Sequence, residues 1–159
     1  MQTHRNIEFA DGTYRFMLTM AGIIAIEQKC GARIGAVHRH LLRGRYAKGD
    51  VDFGYSLEGD YGIEELAEIV RQGLIGGNSG FVDGRDITVS DHLATHLIRT
   101  YLYPESGNPL IKAWDLATAI VQACVIGYEP EEEAQKKSRK PRKTRVRGAS
   151  SEARSSATE

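Results

Sequence analysis

Apolar and polar positions alternate near the N-terminus and then recur at helical spacing over most of the chain. Ile7 and Phe9 alternate with polar neighbours before Asp11-Gly12, and the same alternation resumes in residues 13–18. Period-two alternation on both sides of an Asp-Gly pair predicts a β-hairpin with a type I′ turn, in which both central residues have positive φ. The sequence therefore predicts a strand, a turn at Asp11-Gly12 and a second strand.

Five stretches after this hairpin carry apolar residues every three or four positions, the spacing of an amphipathic helix. The predicted helices cover residues 20–30, 34–43, 62–75, 90–103 and 109–126. Thr19 and Ser90 suit N-caps, Gly31 suits a helix end, and Pro104 breaks the fourth helix. The predicted fold class is α+β and mostly α, with an N-terminal β-hairpin followed by about five short helices.

Two connections between these elements are predicted to be loops. Residues 44–62 contain recurring glycines, and residues 79–88 are polar. A loop as long as 44–62 is unusual in a compact domain. Its aromatic residues are Tyr46, Phe53, Tyr55 and Tyr61. These aromatic side chains either pack back on the core or contact a partner. They are the candidate partner-binding residues predicted from the sequence.

The C-terminal segment has a different composition from the rest of the chain. Residues 1–128 carry a net charge of −3 and residues 129–159 a net charge of +3. In the second segment glutamates precede a basic run from Lys136 to Arg147, and Val146 is its only aliphatic residue larger than alanine. Such a segment buries too little apolar surface to offset its ordering entropy. We expect a folded domain, 1–128, and a disordered charged tail, 129–159.

The basic run leaves three interpretations open. It is a solvated tail, which is the favoured reading, or it docks on a protein, or it binds nucleic acid through phosphate contacts. The run contains no aromatic residue for base stacking, so nucleic-acid binding would be nonspecific. Nucleic acid is therefore not the expected partner.

Composition also predicts a cytosolic protein without a membrane span. The hydrophobic fraction is 41%, and no apolar run approaches the roughly 18 residues of a transmembrane helix. The first residues lack the basic-then-apolar order of a secretion signal. Cys30 and Cys124, the only cysteines, are expected to be buried and reduced.

The sequence contains no pattern that predicts catalysis. Residues 76–80, Gly-Gly-Asn-Ser-Gly, are rich in glycine, but no lysine follows and they end a predicted helix, unlike a phosphate-binding loop. His92 and His96 have the i, i+4 spacing of a zinc helix, but no third ligand is marked. We expect no enzyme activity, no cofactor, and no catalytic, cofactor-binding or metal-binding residue.

Several motifs in a fixed order resemble one family. They are the hairpin, residues 18–27 (Leu-Thr-Met-Ala-Gly-Ile-Ile-Ala-Ile-Glu), 30–35 (Cys-Gly-Ala-Arg-Ile-Gly), 71–77 (Arg-Gln-Gly-Leu-Ile-Gly-Gly) and 110–114 (Leu-Ile-Lys-Ala-Trp). Over residues 6–128 the chain resembles the tail proteins of gene transfer agents and siphophages. Family members are regarded as tail assembly chaperones, and the same family has also been labelled a tail tube component.

The resemblance implies a role in building a phage tail. A chaperone of this kind binds the tape-measure protein, keeps it soluble and helps recruit tail tube subunits in the cytoplasm of the bacterial host. It is expected to be absent from the mature particle. A tube subunit needs several strands, and only two are predicted, which favours the chaperone. The alternatives are a structural tail tube component and a nucleic-acid-binding accessory protein that acts through the basic tail. A homo-oligomer is also open.

Overall fold

The computed structural model describes residues 1–48, 52–55 and 59–130, with the backbone alone described for residues 46–48 and 52–55. The strands are β1 (His4–Phe9), β2 (Gly12–Met17), β3 (Arg45–Lys48), β4 (Asp52–Tyr55), β5 (Ser79–Val82) and β6 (Arg85–Ile87). The helices are α1 (Met20–Cys30), α2 (Ile34–Leu42), α3 (Ile63–Gly77), α4 (Asp91–Tyr101) and α5 (Leu110–Val125), with a short 3₁₀ turn at Pro104–Ser106. The predicted fold class, an N-terminal hairpin followed by five helices, is confirmed.

The strands form two antiparallel sheets. Among the described strands, the larger sheet has the order β1-β2-β5-β6, and β3 pairs with β4 in a separate two-stranded sheet. The prediction that residues 44–62 and 79–88 are loops was therefore wrong. Residues 79–88 contain the β5–β6 hairpin, whose turn is Asp83-Gly84. The φ values of these two residues, 49° and 75°, are the positive angles that a type I′ turn requires.

The predicted turn of the first hairpin is displaced by one residue. Phe9 pairs with Gly12, so the turn residues are Ala10 and Asp11, and Ala10 takes the positive φ of 57°. The Tyr14 hydroxyl donates to Asp11 Oδ1 at 2.6 Å and holds the turn against β2. Gly12 is required for a different reason, because a Cβ there would clash with the carbonyl oxygen of Phe81 on β5.

The helix ends follow the capping residues in the sequence. Thr19 Oγ1 accepts from the Gly22 amide at 3.1 Å, and Ser90 Oγ accepts from the Leu93 amide at 3.2 Å. Each satisfies one amide that lacks an intrahelical partner. Gly31 ends α1 with a φ of 62°. All five helices begin and end within two residues of the predicted bounds.

Helices α3 and α5 form the centre of the core on one face of the larger sheet. Helix α3 packs against β2, α1, α4 and α5, and α5 also contacts β1. The largest fully buried side chains are Trp114, Tyr14, Phe16, Ile26, Leu41, Leu66, Ile69, Leu74, Leu97, Ile120, Val37 and Val70. The sheet and the helices therefore share a single core.

The end of α3 lies directly on the backbone of β2. A Cβ at Gly76 would clash with the carbonyl oxygen of Met17, and a Cβ at Gly77 with that of Arg15. Only glycine permits this approach. The helix then ends at Asn78, whose φ is 45°, and its side-chain Oδ1 accepts from the Val89 amide at 3.1 Å.

The two ends of the described chain meet beside β1. Gln2 and Tyr128 form an isolated antiparallel bridge, with backbone hydrogen bonds of 3.0 and 2.8 Å. The amino group of Met1 lies 2.6 Å from Glu129 Oε1. Residues 131–159, which include nearly all of the predicted tail and its basic run, lie outside the described residues.

Candidate partner-binding groove

An open groove runs between the outer strand β1 and helix α5, with a volume of about 510 Å³. We call it the β1–α5 groove. It is lined by Arg5, Ile7, Glu8, Phe9, Ala10, Tyr101, Leu102, Asn108, Lys112, Ala113, Asp115, Leu116 and Ala119. Its floor is mainly apolar and its rim carries charges of both signs.

The apolar floor is held in place by aromatic packing. Ile7 and Phe9 lie on the helix-facing side of β1, because Ile7 pairs with the buried Tyr14. The Phe9 ring meets the rings of Tyr14, Phe16 and Tyr101 edge to face, with centroids 6.0–6.5 Å apart. Such contacts fix ring orientation, so this part of the groove is formed before any partner arrives.

The wall opposite β1 consists of one side of α5. Ala113, Leu116 and Ala119 occur at intervals of three residues and face the groove. The two alanines leave the space that larger side chains would fill. At the rim, the Arg5 guanidinium lies over the ring of Tyr128, 4.3 Å from its centroid, and Asp115 pairs with Arg45.

The four predicted partner-binding aromatics are not brought together by the described structure. Tyr61 packs on Trp114, with ring centroids 4.7 Å apart and planes tilted by 32°. The side chains of Tyr46, Phe53 and Tyr55 lie outside the described part of the structure. Tyr61 therefore contributes to the core, and the other three remain predicted anchors on the β3–β4 hairpin.

Trp114 connects this hairpin to the body of the domain. The Arg45 guanidinium lies 5.0 Å from the centroid of the Trp114 ring, and the Arg45 side chain is only 10% exposed. On the ring edge, Trp114 Nε1 donates to the carbonyl oxygen of Leu41 at 2.7 Å. The first residue of β3 is therefore anchored in the core.

A smaller apolar surface lies on the outer side of α1. Met20 and Ile24, one helical turn apart, are 74% and 49% exposed. Exposed apolar side chains are common on protein surfaces when they are scattered. The β1–α5 groove is the stronger candidate, because it is concave and combines apolar lining with charged rims.

The cysteines and the His92–His96 pair singled out in the sequence do not line the β1–α5 groove. Burial raises the pKa of the Cys30 and Cys124 thiols, so both stay protonated and weakly nucleophilic at neutral pH. His92 and His96 are exposed on α4. Within residues 1–48, 52–55 and 59–130 no group of three His, Cys, Asp or Glu side chains could hold a metal ion.

Sequence reasoning missed the β1–α5 groove, and no local signal marks it. The residues that line the groove come from three elements that are separated in sequence, represented by Ile7 on β1, Tyr101 on α4 and Leu116 on α5. Each of these residues has the pattern of an ordinary core position. Only the tertiary fold leaves a gap between them.

No helix among the described residues has the length and apolar character needed to cross a membrane. Comparison of the chain with family models, with curated proteins and with solved structures finds no match.

Proposed function

We propose that this protein is a non-enzymatic tail assembly chaperone of a phage or gene transfer agent. It binds an apolar helical segment of the tape-measure protein, keeps that protein soluble and helps recruit tail tube subunits. The observation that carries the proposal is the β1–α5 groove, a preformed apolar surface on a domain in which most of the other large apolar side chains that the structure describes are buried.

The groove suits one side of an amphipathic helix. Its volume of about 510 Å³ lies within the roughly 300–1,000 Å³ typical of binding sites. Helices bind such grooves through apolar residues at i, i+3, i+4 and i+7. The charges of Lys112 and Asp115 at the rim would orient the helix and set its register.

The position of the family-like motif supports the choice of partner. Residues 71–77, one of the motifs that together carry the resemblance, end α3 where Gly76 and Gly77 lie on the backbone of β2. These glycines position β2, and β2 positions β1. The motif that resembles tail proteins therefore supports the strand that forms the floor of the groove.

A tail tube component is the second candidate, and one observation favours it. The argument against it was that the sequence predicts only two strands, whereas the described residues contain six. A tube subunit remains distinguishable by its behaviour. Spontaneous assembly of the pure protein into hollow tubes, seen by negative-stain electron microscopy, would favour this candidate over the chaperone.

Co-expression with a tape-measure fragment tests the chaperone proposal. The fragment should be soluble with this protein and insoluble without it. Ala119→Glu places a charge in the half-buried wall of the groove and should abolish this rescue while leaving the helical circular dichroism signal unchanged. Equal solubility of the fragment with and without the protein would remove the proposal.

Ala21→Glu is the matched control, because the same substitution falls on the exposed side of α1 beside Met20. It should leave the rescue intact. If Ala21→Glu abolishes the rescue and Ala119→Glu does not, the binding surface is the Met20–Ile24 surface and the assignment to the groove is wrong.

A further inference from the structure

A second cavity continues the β1–α5 groove along the same helix, with a volume of about 560 Å³. We call it the α2–α5 cavity. Its own lining residues come from the end of α2, the start of β3 and the C-terminal half of α5, and they are Leu42, Arg45, Thr118 and Gln122. Arg5, Asp115 and Ala119 line both the cavity and the groove. The two spaces therefore meet at these three side chains.

The α5 residues that line the two spaces form one continuous stripe. Lys112 and Leu116 line the groove, Ala119 lines both spaces, and Gln122 lines the cavity. These positions are three or four residues apart, which places them on one side of the helix. The stripe from 112 to 122 is about 15 Å long, because each helical residue adds about 1.5 Å. The groove alone covers about 10 Å of α5, or two turns.

We propose that the tape-measure segment lies across both spaces as one amphipathic helix of about four turns, roughly 14 residues, with acidic residues beside its apolar face. This inference rests on the proposed function and specifies the segment that the groove takes. A two-turn segment would fill the groove and leave the cavity unused. It is also too short to keep a helical conformation in water, whereas segments of about 12–15 residues begin to do so.

The charges around the two spaces favour an acidic partner. The Asp115 carboxylate pairs with Arg45, so its charge is compensated within the chain. Glu8 alternates with Ile7 along β1, so its side chain points to the other face of the sheet. Lys112 is exposed at the rim of the groove, and among the described residues no carboxylate forms an ion pair with it. A carboxylate on the bound helix would complement this charge.

The affinity of synthetic peptides for the full chain tests the length of the binding surface. Amphipathic peptides of about 7, 14 and 21 residues carry leucine on one face and glutamate and glutamine on the other. Fluorescence anisotropy measures their affinities. We expect the 14-residue peptide to bind at least about tenfold more tightly than the 7-residue peptide. The 21-residue peptide should gain little more, because its additional turns extend beyond the α2–α5 cavity.

Gln122→Trp separates the contribution of the cavity from that of peptide length, since longer peptides are also more helical in water. The tryptophan fills the α2–α5 cavity and leaves the groove open, so the gain from 7 to 14 residues should disappear. Gln28→Trp is the matched control on the exposed side of α1 and should keep the gain. Gln122→Glu is a smaller change that places a carboxylate beside the acidic peptide, and it should reduce the gain as well.

Lys112→Glu tests the charge preference. This variant should bind the glutamate-containing 14-residue peptide about two- to fivefold more weakly than the wild type does. It should bind a version with lysine in place of glutamate more tightly. Lys29→Glu is the matched control, because Lys29 is exposed on α1 and lines neither space. That variant has the same net charge and should keep the wild-type preference.

A 14-residue peptide that binds no more tightly than the 7-residue peptide would overturn the proposal. So would a gain that survives in both Gln122 variants with their circular dichroism signals retained, or an unchanged charge preference in Lys112→Glu.

Rescue of the tape-measure fragment separates this proposal from the proposed function. If Ala119→Glu abolishes the rescue and Gln122→Trp does not, the segment occupies the groove alone, so the four-turn helix is wrong and the chaperone stands. If the peptides bind as expected but the fragment is equally soluble without the protein, the proposed function fails and so does the assignment of the bound helix to the tape-measure protein.

Discussion

Trp114 donates a hydrogen bond from its indole Nε1 to the carbonyl oxygen of Leu41, 2.7 Å away in the buried core. Leu41 lies near the end of α2, where the backbone turns towards β3. This bond links α5 to the start of the β3–β4 hairpin. It also satisfies a carbonyl group that has no access to water.

Trp114→Phe should lower the free energy of unfolding by about 1–3 kcal/mol, because it leaves the buried Leu41 carbonyl without its donor. Urea denaturation followed by circular dichroism measures this loss. Thr118→Val is the control. The Thr118 hydroxyl also donates within the core, at 2.7 Å to the carbonyl oxygen of Trp114, but that carbonyl lies inside α5, where the helix already supplies a backbone donor. An effect of Thr118→Val as large as that of Trp114→Phe would contradict this account.

Alanine at Gly76 or Gly77 should prevent stable folding, since a Cβ at either position clashes with the β2 backbone. We expect a loss of more than about 3 kcal/mol, in the range of severe overpacking. Thermal unfolding and the yield of soluble protein measure it. Gly35→Ala in α2 is the control, because nothing lies within 4 Å of its added Cβ. That variant should gain about 0.5–1 kcal/mol from helix propensity.

Glu68→Gln should make the protein less stable at neutral pH. Burial alone would raise the pKa of the Glu68 carboxyl, but hydrogen bonds from Arg71 and Gln72 lower it overall below its ordinary value of 4.5. The folded state therefore favours the charged form, and this stability is present above the unfolded pKa and lost as pH falls through the folded pKa. Denaturation between pH 7 and 3 should show a smaller acid-induced loss in the variant.

Glu65→Gln, three residues earlier on α3, should change the stability at neutral pH in the opposite direction. Burial raises the pKa of Glu65, partly opposed by His40, whose Nδ1 lies 3.9 Å from Oε2. The folded state therefore favours the protonated form, and stability is lost as pH rises from the unfolded pKa through the folded pKa. At neutral pH the variant should be more stable than the wild type. A loss of stability there would show that the contact with His40 outweighs burial.

The predicted aromatic anchors should separate into two classes in alanine variants. Tyr61→Ala should reduce stability, by up to about 3–5 kcal/mol, because it removes a ring packed on Trp114. Phe53→Ala and Tyr55→Ala should leave stability unchanged and weaken rescue of the tape-measure fragment by roughly 1–3 kcal/mol each if they are hot spots. Parallel unfolding and co-expression assays distinguish the classes, and an unfolded Phe53→Ala would place that ring in the core.

The helices could be predicted from sequence because each spans at least two turns of regular apolar spacing. The short strands could not be predicted with equal ease. Strands of three or four residues show only one or two alternations of apolar and polar positions. This signal is too weak to outweigh the glycine and polar residues nearby, which indicate a loop. The Asp83-Gly84 pair was the available signal for the β5–β6 hairpin, and it is the same signal that marked the first hairpin.

The first turn was predicted one residue late because a contact between distant strands overrides the local sequence signal. Asp11-Gly12 has the preferred turn composition, yet Ala10 takes the positive φ and Gly12 enters β2. The close approach of Phe81 on β5 fixes the position of Gly12 in β2, because only glycine fits beside the Phe81 carbonyl oxygen. That constraint arises between strands almost 70 residues apart, so no local rule includes it.

The bridge between Gln2 and Tyr128 makes the path of the backbone nearly a closed ring. Joining Tyr128 to Gln2 through a short linker would require little rearrangement, since the two residues already share a pair of hydrogen bonds. New ends could be opened at the exposed Gly107, between α4 and α5. Such a circular permutant should keep the order of the sheet, while the free amino end would no longer lie next to the outer strand.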